Sequence, residues 1–187
     1  MAVLRPAHRS ALTLVTAAAL FVPVLPAAAH ARTDPATGLS PEGQQSTALT
    51  GMLVNGQTGK CLTVAGGGRV TDNLRAAQYE CDAYPTRQWT MTDATGTRQY
   101  TLRNAQTGKC LTIAGGASTA NNYTAVQYTC MDHPAFRWMF WGAAGAQQYQ
   151  LKNVQTGKCL TIGPDGSTAV QYTCDKQPAR MWGVRYM

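Results

Sequence analysis

The chain has 187 residues and is weakly basic, with 16 lysines and arginines against 9 acidic residues and a formal net charge of +7. The basic residues are dispersed singly, which argues against a nucleic-acid platform and indicates a solvated surface with some attraction for acidic polymers. Because the charges are dispersed, we expect no nucleic-acid binding. Beyond the N-terminal region no segment is apolar enough to span a bilayer, so we also expect no membrane insertion.

The N-terminal region has the pattern of a secretory signal. Two arginines precede an apolar run over residues 11–25, which is too short and too interrupted by prolines for a membrane-spanning helix. Small residues follow, so we predict a signal peptide over 1–31, cleaved after Ala29 or Ala31, and a secreted, extracellular protein. Proline and glycine among polar neighbours predict a flexible leader over 32–50.

The rest of the chain is an internal repeat. The segment Gln-Thr-Gly-Lys-Cys-Leu-Thr occurs three times, and its cysteines, Cys61, Cys110 and Cys159, are 49 positions apart. A Gln-Tyr-x-Cys segment and then a tryptophan follow in each copy. A unit of this size cannot bury its own core, so three units are expected to form one domain. The predicted units span residues 50–98, 99–147 and 148–187.

Each unit is predicted to form a set of short strands. Stretches such as Gln99–Arg103 alternate apolar and polar residues, and helical periodicity is absent after residue 50. The Gln-Thr-Gly-Lys segment predicts a hairpin turn in which Gly59, Gly108 and Gly157 supply a positive φ. We therefore predict an all-β domain of about twelve strands.

All six cysteines follow the predicted signal, two in each repeat. In an oxidising compartment they are expected to form disulfides, and the repeat symmetry selects one bridge per repeat among the 15 possible pairings. Zinc-knuckle spacing is absent and histidines are scarce, so we expect neither a metal nor another cofactor. The predicted pairs are Cys61–Cys81, Cys110–Cys130 and Cys159–Cys174.

The repeated motif resembles a known family. Gly-Lys-Cys-Leu-Thr-Ile, Val-Gln-Tyr-x-Cys and a tryptophan eight residues later are similar to one subdomain of the ricin B-type lectin domain, which family 13 carbohydrate-binding modules share. The resemblance covers residues 51–187. It implies a β-trefoil with pseudo-threefold symmetry, in which six strands close a barrel and six cap it, and up to three shallow sugar sites.

The sequence departs from the family's sugar-site pattern at most positions. A carboxylate accepts from two sugar hydroxyls at once, whereas a threonine offers one neutral hydroxyl. The family's aromatic position is kept in every copy as Tyr79, Tyr128 and Tyr172. Its aspartate position holds Thr63, Thr112 and Thr161; its asparagine position holds Thr86, Ala135 and Ala179; its glutamine position holds Arg87, Phe136 and Arg180.

Strand alternation predicts where a modified site would lie. If Leu62 faces the core, Thr63 faces away from it, on the same side as the disulfide and Tyr79. The loop after the second cysteine then brings an acid that could replace the missing acceptor. An alternative stays open, in which the tyrosines only cover the disulfides and the acids are solvated turn residues. The predicted ligand-binding residues are Tyr79, Tyr128, Tyr172, Thr63, Thr112, Thr161, Asp82, Asp132 and Asp175.

Other distinctive residues suggest structural or accessory roles. The repeated tryptophans Trp89, Trp138 and Trp182 correspond to core positions of the family. Trp141 has no counterpart in the other copies and is a candidate exposed aromatic. His133 is the only histidine well inside the domain. Because no nucleophile or acid–base constellation is visible, we predict no enzymatic activity and no catalytic residues.

Two functions from different classes fit these observations. The first is a secreted, non-catalytic carbohydrate-binding protein that recognises polysaccharides or cell-surface glycans by combining several weak sites. The second is a degenerate trefoil that binds a secreted or cell-surface protein, as a protease inhibitor or as the targeting subunit of an assembly. In either case we expect a monomer.

Overall fold

The computed structural model describes residues 48–93 and 96–187. The predicted signal peptide and most of the predicted leader lie outside the described residues. Strand β1 begins at Ala48, so the last three residues assigned to the leader, 48–50, belong instead to a strand, where Ala48 pairs with Thr92 of a neighbouring strand. The first three residues of that strand, Ala48, Leu49 and Thr50, are too few to show a clear alternation of apolar and polar residues, so the sequence does not mark where the strand begins.

The described residues form twelve strands, as the sequence predicts, and three short 3₁₀ helices. In chain order the strands are β1 (Ala48–Asn55), β2 (Cys61–Val64), β3 (Ala76–Tyr79), β4 (Gln88–Thr92), β5 (Gln99–Asn104), β6 (Cys110–Ile113), β7 (Ala125–Tyr128), β8 (Arg137–Trp141), β9 (Gln148–Asn153), β10 (Cys159–Ile162), β11 (Ala169–Tyr172) and β12 (Met181–Tyr186). The 3₁₀ helices are Pro85–Arg87, Pro134–Phe136 and Pro178–Arg180.

Six of the strands close into a ring. Strand β1 pairs with β4, β4 with β5, β5 with β8, β8 with β9 and β9 with β12, and β12 returns to β1, all antiparallel. The other six strands form the hairpins β2–β3, β6–β7 and β10–β11, one in each repeat. A six-strand barrel with three hairpins is the β-trefoil that the sequence predicted, and the prediction is confirmed.

The core is built from the same positions of each repeat. The three repeated tryptophans are fully buried, and each indole nitrogen donates to the carbonyl oxygen of a leucine at 3.0 Å: Trp89 to Leu62, Trp138 to Leu111 and Trp182 to Leu160. Burying the large ring is favourable only if its N–H finds an acceptor, so the tryptophans are structural residues, as predicted.

Tight turns and disulfides fix the start of each hairpin. Gly59, Gly108 and Gly157 have φ angles of 69°, 66° and 68°, which confirms the predicted turn and the need for glycine there. The three predicted disulfides, Cys61–Cys81, Cys110–Cys130 and Cys159–Cys174, are all present, each with a Cα–Cα distance of 5.0 Å.

Buried glutamines connect each repeat to the loop of another. Gln127 Nε2 donates to the carbonyl oxygens of Arg69 and Thr71 in the first repeat, at 2.8 and 2.7 Å. Gln171 binds the second-repeat loop in the same way, and Gln78 Nε2 donates to Gly166 O of the third. These contacts run around the molecule in one direction, and we call them the glutamine clasps. The third repeat also takes part, although its two cysteines are 15 positions apart where those of the other repeats are 20 apart. None of the helices in the described part of the chain has the length and apolar character that crossing a bilayer requires.

Candidate functional site

The hairpin of each repeat sets the tyrosine beside the disulfide. The paired residues across the hairpin are Cys61 and Tyr79 in the first repeat, and the same register brings Cys110 opposite Tyr128 and Cys159 opposite Tyr172. Side chains on paired residues lie on the same face of a sheet. The disulfide and the tyrosine therefore share a face, as strand alternation predicted.

The threonines at the family's aspartate position hold the 3₁₀ helices in place. Their hydroxyls donate to backbone carbonyl oxygens: Thr63 to Thr86 at 3.2 Å, Thr112 to Ala135 at 2.9 Å and Thr161 to Ala179 at 3.1 Å. All three threonines are buried. Each hydroxyl proton is thereby used within the protein, and only the oxygen lone pairs remain for a ligand.

In the first repeat the predicted site residues meet in one cavity of about 440 Å³, which Thr63, Tyr79 and Asp82 all line. Tyr79 is 58% exposed. The guanidinium of Arg87 lies within cation–π distance of two rings, with its Cζ atom 4.8 Å from the centroid of Tyr79 and 5.4 Å from that of Tyr84. This cavity therefore combines an aromatic platform with both signs of charge.

The acid of the first repeat is tied to that arginine. Arg87 Nε lies 3.1 Å from Asp82 Oδ1, which also accepts from the backbone N–H of Tyr84 at 2.9 Å. Oδ2 of Asp82 has no hydrogen-bond partner within the described part of the chain. One carboxylate oxygen thus orients Arg87, and the other remains as an acceptor for a ligand hydroxyl.

The third repeat shows the same arrangement. Arg180 Cζ lies 4.5 Å from the ring centroid of Tyr172, and its Nη1 lies 2.6 Å from Asp175 Oδ1. Thr161 is joined to this group through Ala179, the residue before Arg180. Tyrosine, arginine and aspartate therefore form a contact group in two of the three repeats.

The second repeat is built differently. Thr112 and Tyr128 line a common cavity of about 290 Å³, but Asp132 is not among its lining residues. Asp132 pairs instead with Arg137, and its side chain is 89% exposed. The prediction that an acid would stand beside the tyrosine in every repeat therefore has no support from the cavity of the second repeat. The reason is that Phe136 occupies the position of Arg87 and cannot draw the carboxylate inward.

The arginine partners of the acids are the functional candidates that the sequence analysis missed. They lie five residues after the acid in every copy, as Arg87, Arg137 and Arg180. That repeated spacing was available in the sequence as a signal. Arg87 and Arg180 stand at the family's glutamine position, whereas Arg137 lies one residue beyond it, so the resemblance to the family conceals the shared spacing.

Trp141 is exposed, as predicted, but it is not without a neighbour. The ring is 52% exposed, and Lys152 Nζ lies 4.9 Å from its centroid.

His133 lines the second-repeat cavity, and its Nδ1 accepts from the backbone N–H of Ala135 at 3.2 Å.

Two carboxylates have lowered pKa values, and both lie in connecting loops. A hydrogen bond from the Thr168 hydroxyl, followed by those from the backbone N–H groups of Ser167 and Thr168, lowers the pKa of Asp165 to about 2. The ammonium of Lys109 holds the pKa of Asp72 below its usual value, chiefly through a side-chain hydrogen bond. Lys109 Nζ lies 2.9 Å from Asp72, so this pair joins the first repeat to the second.

Comparisons with solved structures find proteins of the same fold. A designed threefold-symmetric protein, ThreeFoil, is 24% identical with a TM-score of 0.68, and the match covers 74% of this chain and 99% of that one. The agglutinin of Rhizoctonia solani is 16% identical with a TM-score of 0.65, covering 75% and 96%. An exo-β-1,3-galactanase from Clostridium thermocellum is 22% identical with a TM-score of 0.68, covering 74% of this chain but only 30% of the galactanase. At these identities the similarity is one of fold.

No curated protein matches the sequence. The family model of the ricin-type β-trefoil lectin domain-like proteins matches residues 44–129, 95–144 and 134–186, so that its matches together run through all three repeats. Both the repeat motif and the barrel with three hairpins agree with that match, and the chain belongs to the ricin-type β-trefoil lectin domain-like family.

Proposed function

We propose that the chain is a secreted, non-catalytic protein that binds polysaccharides or cell-surface glycans through weak sites centred on Tyr79, Tyr128 and Tyr172. The observation that supports this proposal best is the cavity of the first repeat, which contains an exposed tyrosine beside hydrogen-bonding groups. Aromatic faces that pack against a ligand, with a few fixed polar groups around them, are the usual composition of small-molecule sites.

The charges at the sites support binding rather than hydrolysis. Glycoside hydrolysis uses a pair of carboxyl groups on either side of the scissile bond. The first-repeat cavity is lined by a single carboxylate, Asp82, which is paired with Arg87. Such a pair can donate to and accept from sugar hydroxyls, but it supplies no second carboxyl group.

The test is retention of the protein on a panel of insoluble polysaccharides. Single Tyr→Ala changes at 79, 128 or 172 should weaken retention modestly, and the triple change should abolish it, because the sites act together. Tyr186→Ala is a matched control, since Tyr186 is 62% exposed but lies outside the three hairpins. Circular dichroism of each variant checks the fold. A folded triple variant that is retained as well as the parent would disprove the proposal.

A protein-binding role is the second candidate, and one observation favours it. The Arg87 guanidinium already lies against both Tyr79 and Tyr84, so the first-repeat platform is partly covered by the protein itself. In that case the exposed surface around Trp141 would carry the contact. Trp141→Ala should then abolish capture of a secreted or cell-surface protein while leaving polysaccharide retention unchanged.

A further inference from the structure

The cavity of the second repeat differs from its counterparts at one position beneath the tyrosine. Arg87 and Arg180 lie against the tyrosines of the first and third repeats, whereas Phe136 takes their place in the second. Phe136 is 3% exposed, and its ring centroid lies 6.3 Å from that of Tyr128 at an angle of 54°. An apolar ring thus replaces a guanidinium at the base of this cavity.

The remaining lining of this cavity is mostly apolar, and its polar residues Asn73, Thr112 and His133 are uncharged or weakly basic. Ile113, Val126, Met131 and Phe136 contribute to it together with Tyr128. Of the described residues that line it, none is an aspartate, glutamate, lysine or arginine. The first-repeat cavity, in contrast, is lined by Arg75, Asp82 and Arg87 among others. The two cavities therefore favour ligand groups of different polarity.

His133 adds one directional hydrogen-bond donor to this apolar lining. Its Nδ1 accepts from the N–H of Ala135, so the neutral ring carries its proton on Nε2. Nε2 makes no hydrogen bond within residues 48–93 and 96–187. The cavity accordingly offers an apolar recess together with N–H donors on His133 and on the side-chain amide of Asn73, which suits a small group with a methyl end and a carbonyl oxygen.

We propose that the second-repeat cavity binds the acetamido group of an N-acetylated sugar. The methyl group packs against Phe136 and the aliphatic side chains, the carbonyl oxygen accepts from His133 Nε2, and the sugar ring lies against Tyr128. This inference rests on the proposed carbohydrate-binding function and gives one of its three sites a distinct specificity. The residue that sets the specificity is Phe136, because the other repeats carry arginine there.

The experiment is an NMR titration of the purified protein with four methyl glycosides: those of N-acetylglucosamine, glucose, N-acetylgalactosamine and galactose. Amide signals near His133 and Tyr128 report the second site, and those near Tyr79 and Tyr172 report the other two. Burial of one methyl group and formation of one hydrogen bond predict that the acetamido sugar of at least one pair binds the second site about tenfold more tightly than its parent hexose. The first and third sites should show no such preference.

The variant Phe136→Arg introduces the residue of the other two repeats and should remove the preference, whereas Phe136→Leu keeps the site apolar and should retain it. If Phe136→Arg does not fold, His133→Phe serves in its place, because it removes the donor and should reduce the preference several-fold. Equal affinities within both pairs, or a preference that persists in folded Phe136→Arg, would overturn the inference. Tyrosine-dependent retention on polysaccharides together with equal affinities would overturn this inference alone and leave the proposed function standing.

Discussion

Single side chains in this domain serve the scaffold and the surface at the same time. Each threonine that replaces the family's aspartate donates to the carbonyl of a 3₁₀ helix, and an asparagine of another repeat donates to the same oxygen. In the second repeat that oxygen belongs to Ala135, with both donors at 2.9 Å. A buried carbonyl with two donors is firmly held, so the backbone under the tyrosine is rigid before any ligand arrives.

Asp165 provides a test at the scale of one residue. Hydrogen bonds, chiefly from the Thr168 hydroxyl, lower its pKa from 3.8 to about 2. A lowered pKa in the folded state stabilises the protein above the unfolded value, and this contribution is lost as the pH falls from about 3.8 through about 2. In Thr168→Val the pKa of Asp165 should rise towards 3.8, and the acid-dependent loss of stability should become smaller.

Carboxyl ¹³C titration measures the pKa, and urea unfolding at about pH 5 and about pH 2.5 measures the stability. Thr173→Val is the matched control, since that hydroxyl bonds to Asn121 and Lys158 rather than to a carboxylate of its own loop. Identical Asp165 titrations in the parent and in Thr168→Val would contradict the assigned cause.

At the scale of the element, the unit that matters is the hairpin closed by its disulfide. The bridges Cys61–Cys81 and Cys110–Cys130 each close 20 positions, and Cys159–Cys174 closes 15. Each bridge joins the first residue of a hairpin's first strand to a cysteine two residues beyond the end of its second strand. The bridge therefore holds the tyrosine two residues before that cysteine in a fixed place.

Removing each bridge by a double Cys→Ala change should destabilise the domain by about 3 kcal/mol, on the chain-entropy estimate. Because that entropy depends only on the logarithm of loop length, the third bridge should differ from the other two by about 0.3 kcal/mol. Urea unfolding of the three double variants measures this. A clearly unequal series would show that strain or local packing, rather than loop closure, dominates.

The sequence predicted most of this level of structure. Repetition of the cysteine-containing motif predicted the hairpins, the bridges and the turns at Gly59, Gly108 and Gly157, because local spacing determines them. The contacts of Asp82 and Asp175 were harder to foresee, since a side chain in a loop can turn to either of two neighbours. Asp132 shows this difficulty most clearly, because its arginine lies one position further on than Phe136, and so the carboxylate stays outside the cavity.

At the scale of the molecule, the closed ring makes the order of the repeats almost irrelevant. Strand β1 pairs with β12, with Gly51 opposite Tyr186, so the two ends of the barrel meet as any other neighbouring strands do. The glutamine clasps likewise link the first repeat to the third as they link the others. Within the described residues, the junction between the first and last strands is therefore built like the other junctions between repeats.

A circular permutant tests this property. Cutting between Gly142 and Ala143, both exposed, and joining Met187 to Ala48 through a linker of about five residues should give a folded domain with the same three bridges. Its melting temperature should lie within a few degrees of the parent domain. Cutting instead between Ala120 and Asn121 should cost more, because Ala120 O accepts from Gln171. Equal stability of the two permutants would show that the clasps contribute little.

Closure of the ring also bears on aggregation at high local protein concentration. A sheet that ends in an open strand presents unpaired N–H and C=O groups, on which a second molecule can add a strand and begin to aggregate. Here each barrel strand pairs on both sides, and the outer strands of the hairpins bridge to one another through Arg75 and Val126, Ala77 and Thr168, and Thr124 and Val170. We therefore expect densely packed copies to remain separate folded molecules, because the strands of residues 48–93 and 96–187 leave little unpaired backbone on which another strand could add.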